Sequence, residues 1–119
     1  MTKDEQRLFK LIDSARIGNG CAPLRRDKRL SEGAGLEAAA RAASGRLFVT
    51  EPSKATTGGD NLTVTSAFDQ LMAKSSATLL DCDLVELGVG HGQATYCATR
   101  ILICLRPKIR RAWVADFGG

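Results

Sequence analysis

The sequence predicts an α+β fold, an α-β-α sandwich in which helices come first and a small antiparallel sheet follows. Three observations lead there. From Asp4 to Ile17 the apolar residues recur at helical spacing, and a second, alanine-rich helix is expected from about Asp27 to Ser44. From Leu84 onward the period changes to two, with Val85, Leu87 and Val89 alternating against Leu84, Glu86 and Gly88. The later strands are joined by links too short for parallel crossovers, so they must pair antiparallel, and helices followed by strands make a layered α+β domain.

At 119 residues the chain has room for one ordinary domain, spanning 1–119. Hydrophobic residues make up 44% of it, enough for a core, and aromatics only 5%, so that core is built from Leu, Val, Ile and Ala.

The first helix runs from Asp4 to Ile17, with Leu8, Leu11, Ile12 and Ala15 as its apolar stripe. Thr2 is placed to cap it with Glu5 three residues on, and Gly18 and Gly20 stop it. Leu24 to Asp27 reads as an extended link. A second helix follows from about Asp27 to Ser44, rich in alanine for close approach to a neighbour. Gly33 and Gly35 weaken it by up to ~1 kcal/mol each, which a tight crossing would explain.

Gly45 to Leu62 is the least regular stretch, and Thr56 to Asn61 reads as a polar, glycine-bearing loop. A third helix begins near Ser66, with Phe68, Leu71, Met72, Leu79 and Leu80 on its apolar side. Three strands are then expected: one ending near His91, one over Ala94 to Leu105, and, after a turn at Pro107 and Lys108, one over Ile109 to Phe117.

The net charge of +4 is ordinary for a soluble domain. Two basic clusters stand out, Arg25, Arg26, Lys28 and Arg29, then Arg106, Lys108, Arg110 and Arg111. Neither is interleaved with stacking aromatics or set on a reading helix, so no nucleic-acid partner is expected. No apolar run approaches the roughly 20 residues of a membrane span. Met1 leads straight into Lys3, Asp4 and Glu5, so the protein is either cytosolic or has lost a leader.

The four cysteines suit disulfides in an oxidising compartment and allow three pairings. No two of them stand two residues apart, which excludes a paired zinc ribbon. Cys21 and Cys82 both fall at element ends. Cys97 and Cys104 are seven apart and on one regular strand would point to opposite faces, so they bond only if a bulge or turn breaks that strand; otherwise they are buried free thiols.

Four segments carry a resemblance: Asn19 to Leu30, the run Asp81 to His91, Ala94 to Cys97, and Trp113 to Gly118. Together they resemble the CAP superfamily, the SCP or pathogenesis-related-1-like domains, in their small actinobacterial form, over Phe9 to Gly118. The resemblance implies an exported protein. It also implies a Cys21–Cys82 disulfide, whose loop of about 60 residues could contribute roughly 3–4 kcal/mol.

The family's cleft usually holds two histidines and one or two acids. Carried over, the acid of its Gly-Glu-Asn segment is Asp60 in Gly59-Asp60-Asn61. The histidine seven residues before the cysteine is Ser75, in Ser75-Ser76-Ala77-Thr78-Leu79-Leu80-Asp81-Cys82, and Leu71 stands nearest the usual tryptophan. No histidine lies between Gly45 and Gly59. The candidate cleft is therefore Asp60, Asn61, Ser75 and Ser76, a set too poor in nitrogen and thiolate ligands for zinc, so no metal or cofactor is expected.

His91, the one histidine, reads as a turn or surface residue between Gly90 and Gly92. The glycines around it lack the lysine of a phosphate loop, and nothing brings a serine or cysteine nucleophile to the imidazole. The function implied is a secreted, non-catalytic CAP-like binding domain for a lipid or other apolar ligand, a cell-wall component or a protein. The alternatives are a hydrolase using Asp60 with Ser75 or Ser76, and an interaction domain gripping acidic partners through Arg106 to Arg111.

Overall fold

The computed structural model describes residues 1–99 and 101–119. The elements run α1 (Lys3–Gly18), β1 (Arg25–Arg26), α2 (Lys28–Ser44), β2 (Val49–Glu51), β3 (Lys54–Asp60), α3 (Val64–Leu79), β4 (Glu86–Cys97) and β5 (Pro107–Gly118). Each helix starts where a short polar side chain satisfies free amides. Thr2 accepts from the Glu5 amide at 3.2 Å while the Glu5 carboxylate accepts from the Thr2 amide at 2.7 Å. Asp27 accepts from the Leu30 amide at 2.9 Å, and Thr63 from the Ser66 amide at 3.2 Å. Helix α2 ends on Gly45 in the left-handed conformation, φ 80°, as a glycine C-cap does.

The sheet has five strands in the order β1-β4-β5-β3-β2. It is mixed, since β1 runs parallel to β4 while the other pairs are antiparallel. Helices α1 and α3 cover one face and α2 the other, which gives the expected three layers.

The two faces are packed by different means. Toward α1 and α3 point Leu87, Val89, Trp113, Ala115 and Phe117, closing on Leu8, Phe9, Ile12, Leu71 and Leu79. Each large side chain buried there contributes about 1.5–3 kcal/mol. Toward α2 the strand presents Gly88, Gly90 and Gly92, and a Cβ built on Gly90 would lie 2.1 Å from the Ala34 carbonyl carbon. At Gly88 and Gly92 the nearest helix backbone would be 2.2 and 2.4 Å away. Helix α2 thus lies on bare strand backbone through Ala34, Ala38 and Ala42, all fully buried.

Arg16 closes the interior end of α1. Its side chain is 1% exposed and donates to the carbonyls of Leu79 and Asp81, at 2.9 Å each, and of Leu84. One guanidinium therefore satisfies the orphan carbonyls at the end of α3 and in the turn leading to β4. Burial presses against its charge, and Asp13 and Asp81 offset that. The Cys21–Cys82 disulfide is formed beside it, closing 61 residues.

Several expectations are corrected. The sheet is mixed and not purely antiparallel, because β1 runs parallel to β4. The least regular stretch, Gly45 to Leu62, contributes β2 and β3, and of the expected loop Thr56 to Asn61 all but Asn61 is strand, with Thr56 and Thr57 buried and their hydroxyls bonded to the Leu47 carbonyl (2.6 Å) and to Gln70 (2.5 Å). The three later strands are two. Strand β4 runs unbroken through His91 to Cys97, and Pro107 begins β5 instead of turning. Pro107 is tolerated as a first residue, where a missing amide costs least. The strand expected over Ala94 to Leu105 breaks after Cys97; Arg100 within that range lies outside the described residues. Because it breaks, Cys97 and Cys104 meet and form the second disulfide. Gly33 and Gly35 do not serve the crossing, for a Cβ on either meets nothing within 4 Å.

Candidate functional site

Asp60 and Asn61 lie at the end of β3. Asp60 pairs with Arg110 in the sheet, and Asn61 takes the turn beyond it at φ 52°, its amide donating to the Ile109 carbonyl at 2.8 Å. Ser75 lies elsewhere. Helix α3 departs from helical geometry there (φ −134°), and the buried Ser75 hydroxyl shares a 2.6 Å hydrogen bond with Thr50 of β2. One turn on, Thr78 donates to the Glu51 carbonyl at 2.7 Å. The two hydroxyls dock the end of α3 onto the edge strand. Ser76 is exposed and Leu71 is core.

The register shows why Asp60 and Ser75 do not share a hollow. Thr50 pairs with Ala55, five residues before Asp60. At about 3.3 Å per residue that is roughly 16 Å along the strand. An odd separation also reverses the face, so Ser75 sits on the α1/α3 side and Asp60 on the α2 side. The geometry does not assemble an Asp60–Ser75 hydrolytic pair.

Asp60 instead joins Tyr96, Lys108 and Arg110 at the foot of the β4–β5 hairpin. The Tyr96 hydroxyl donates to Asp60 Oδ1 at 2.6 Å, and Lys108 Nζ stands 3.6 Å from Oδ2. That hydrogen bond holds the Tyr96 phenol above its ordinary range. The Arg110 guanidinium lies 4.2 Å from the Tyr96 ring centre and donates to the Ala42 carbonyl at 2.9 Å. The cluster fastens the hairpin's foot to the C-terminal end of α2, where a cation is favoured.

Beyond this foot no helix among the described residues covers the hairpin. Its backbone ladder continues past the strands, Ala98 donating to Arg106 at 2.9 Å and Leu105 to Thr99 at 3.0 Å, and the second disulfide bridges it. Its crown is apolar and bare: Ile101 is 76% exposed, Leu102 95%, Ile103 69% and Leu105 52%. Reading Ala94 to Leu105 as a strand hid it. The signal in the sequence is an apolar run without alternation, Ile-Leu-Ile-Cys-Leu, set between arginines.

His91 is neither turn nor surface. It stands in mid-strand on the α1/α3 face, its ring centre 4.2 Å from that of Trp113, and its amide donates to Glu5 Oε2 at 2.8 Å, sealing the open edge of β4. Burial lowers its pKa, helped by Arg111 and opposed by Glu5 and Asp4. Its Nε2 is buried with no hydrogen-bond partner among the described residues. Also among the described residues, no three His, Cys, Asp or Glu side chains group to hold a metal ion, and no helix is long and apolar enough to cross a membrane.

Three layers with α2 laid on glycines, a mixed five-stranded sheet and a disulfide between the links that leave α1 and α3 define an α-β-α sandwich protein. The same architecture is found in the crystal structure of MpPR-1i, a pathogenesis-related-1 protein. The two superpose with a TM-score of 0.70 over 98% of this chain and 89% of that one, at 14% sequence identity. The chain has the CAP fold. No protein-family model matches the sequence, and no curated protein sequence does. The two disulfides are compatible with an oxidising, extracellular setting.

Proposed function

We propose that this chain is an exported, non-catalytic CAP-like binding domain that engages an apolar surface through the crown of its β4–β5 hairpin. The observation that carries this is the exposure of Ile101, Leu102, Ile103 and Leu105 together at the end of a cross-linked hairpin. A surface that costs solubility and is held rigid favours binding, because little ordering entropy remains to be lost on contact. The residues at the carried-over cleft positions support the same reading. Ser75 is committed to Thr50, and Asp60 to Tyr96 and Lys108.

The apolar dye anilinonaphthalene sulfonate tests it. The folded wild type should raise the dye's fluorescence, and Leu102→Asp should abolish the rise while melting at the same temperature. A folded wild type that leaves the dye dark contradicts the reading. Export is tested by intact mass: protein recovered outside its host should carry two disulfides, whereas an intracellular form with four free thiols contradicts export.

A further inference from the structure

Resting on that binding reading, we infer that the occupant of the crown is an anionic lipid bilayer surface, into which the hairpin tip inserts edge-on. Charge, depth and backbone satisfaction each point to it.

The sequence from Cys97 to Arg111 contains no Asp or Glu. Behind the crown stand Arg106 and Lys108, both exposed, then Arg110 and Arg111. An apolar tip ringed by cations is complementary to acyl chains beneath a layer of anionic headgroups. Asp60 offsets Lys108 at 3.6 Å, so the charge facing the tip is carried mainly by Arg106, which has no ion pair among the described residues and which a hydrophobic protein groove would leave unanswered.

The spacing also matches. Arg106 and Lys108 follow Leu105 by one and three residues on the ladder, roughly 3–10 Å at strand rise. Interfacial segments bury their apolar side about 5–10 Å into the headgroup boundary. Inserting the crown to that depth leaves the cations among the phosphates and puts Tyr96, which pairs with Lys108 across the ribbon, at the level where aromatic rings collect.

An apolar phase penalises every unpaired backbone amide. Here Ala98 donates to Arg106, Leu105 to Thr99, and Ile101 to Ile103, so three of the tip's amides are already satisfied internally. The Cys97–Cys104 bridge holds that arrangement.

The test is sedimentation of the full oxidised chain with vesicles of phosphatidylcholine alone and of phosphatidylcholine mixed with phosphatidylglycerol. The wild type should bind the mixed vesicles at least about tenfold more tightly, and binding should weaken as salt is raised. Leu102→Asp should lose at least about tenfold, and Lys108→Glu or Arg106→Glu about fivefold each. Leu36→Asp is the control, since Leu36 is 76% exposed on α2 away from the hairpin; it should bind like wild type. Equal binding to both vesicle types, full binding by Leu102→Asp, or loss by Leu36→Asp overturns the inference. If neither vesicle binds while the dye still responds to the crown, the bilayer is the wrong occupant and the binding reading survives. If the wild type instead forms concentration-dependent dimers that Leu102→Asp abolishes, with no vesicle binding, the crown pairs with itself and the inference fails.

Discussion

Strands β4 and β5 form one ribbon of twelve paired positions, and its two ends live in different worlds. At the first end Leu87, Val89, Trp113, Ala115 and Phe117 lie at 3% exposure or less between helical layers. At the other, beyond Arg110, the ribbon runs on with no helix among the described residues over either face and finishes in side chains up to 95% exposed. Helix α2 stops at Ser44, where Arg110 caps it, and the ribbon does not. The fold's stability therefore resides in one half of the ribbon, and the other half is free to carry function at little cost to stability.

The buried end should be broken most severely by Gly90→Val. Its side chain would have to occupy the Ala34 backbone. Over-packing against a rigid helix costs about 3 kcal/mol or more, which for a domain this size means loss of the cooperative melt. Circular dichroism on heating reads it directly.

The two disulfides sharpen the same contrast. Removing Cys21–Cys82 as a double serine variant frees a loop spanning 61 residues and should cost about 4 kcal/mol in the chain-entropy account. Removing Cys97–Cys104, with a separation of 7, should cost about 2 kcal/mol. Denaturant melts of both variants measure the difference. Equal losses would mean the hairpin is as central to stability as the sandwich.

A gain is expected where glycine does nothing. Gly33→Ala on the exposed side of α2 should stabilise by about 0.5–1 kcal/mol, because its Cβ meets open space and the helix loses a flexible residue. The smallest signature is a slope with pH. His91 has a pKa below the usual 6.5, so the unfolded chain takes up its proton first as pH falls, and stability drops as pH descends through about 6.5. His91→Phe should flatten the fall in melting temperature between about pH 7.5 and about pH 5.5.

Much of the sandwich was legible because its signals are local. The Thr2–Glu5 box, the Asp27 cap and the alternation around Leu87 need no partner to be recognised. The β2–β3 pair was not, because threonine and glycine announce a loop until Leu47 and Gln70 supply the bonds that let Thr56 and Thr57 be buried. His91 misled for a related reason: its neighbouring glycines make room for α2, which only the packed structure reveals. The Cys21–Cys82 bridge followed from the resemblance. The cleft residues carried over by that resemblance did not converge, since positions 55 and 60 of β3 differ in parity and Thr50 ties Ser75 to the first of them. The crown was written in the sequence as an apolar run, but the end of β4 decided whether it was strand or tip.

The central claim is that the unsupported end of the ribbon is the working surface. Hydrogen exchange by mass spectrometry, with and without anionic vesicles, addresses it most directly. The account predicts new protection confined to peptides covering residues 98–106, with helices α1 and α3 unchanged. Protection over α3 and the Asp60 turn, leaving 98–106 unaltered, would contradict it.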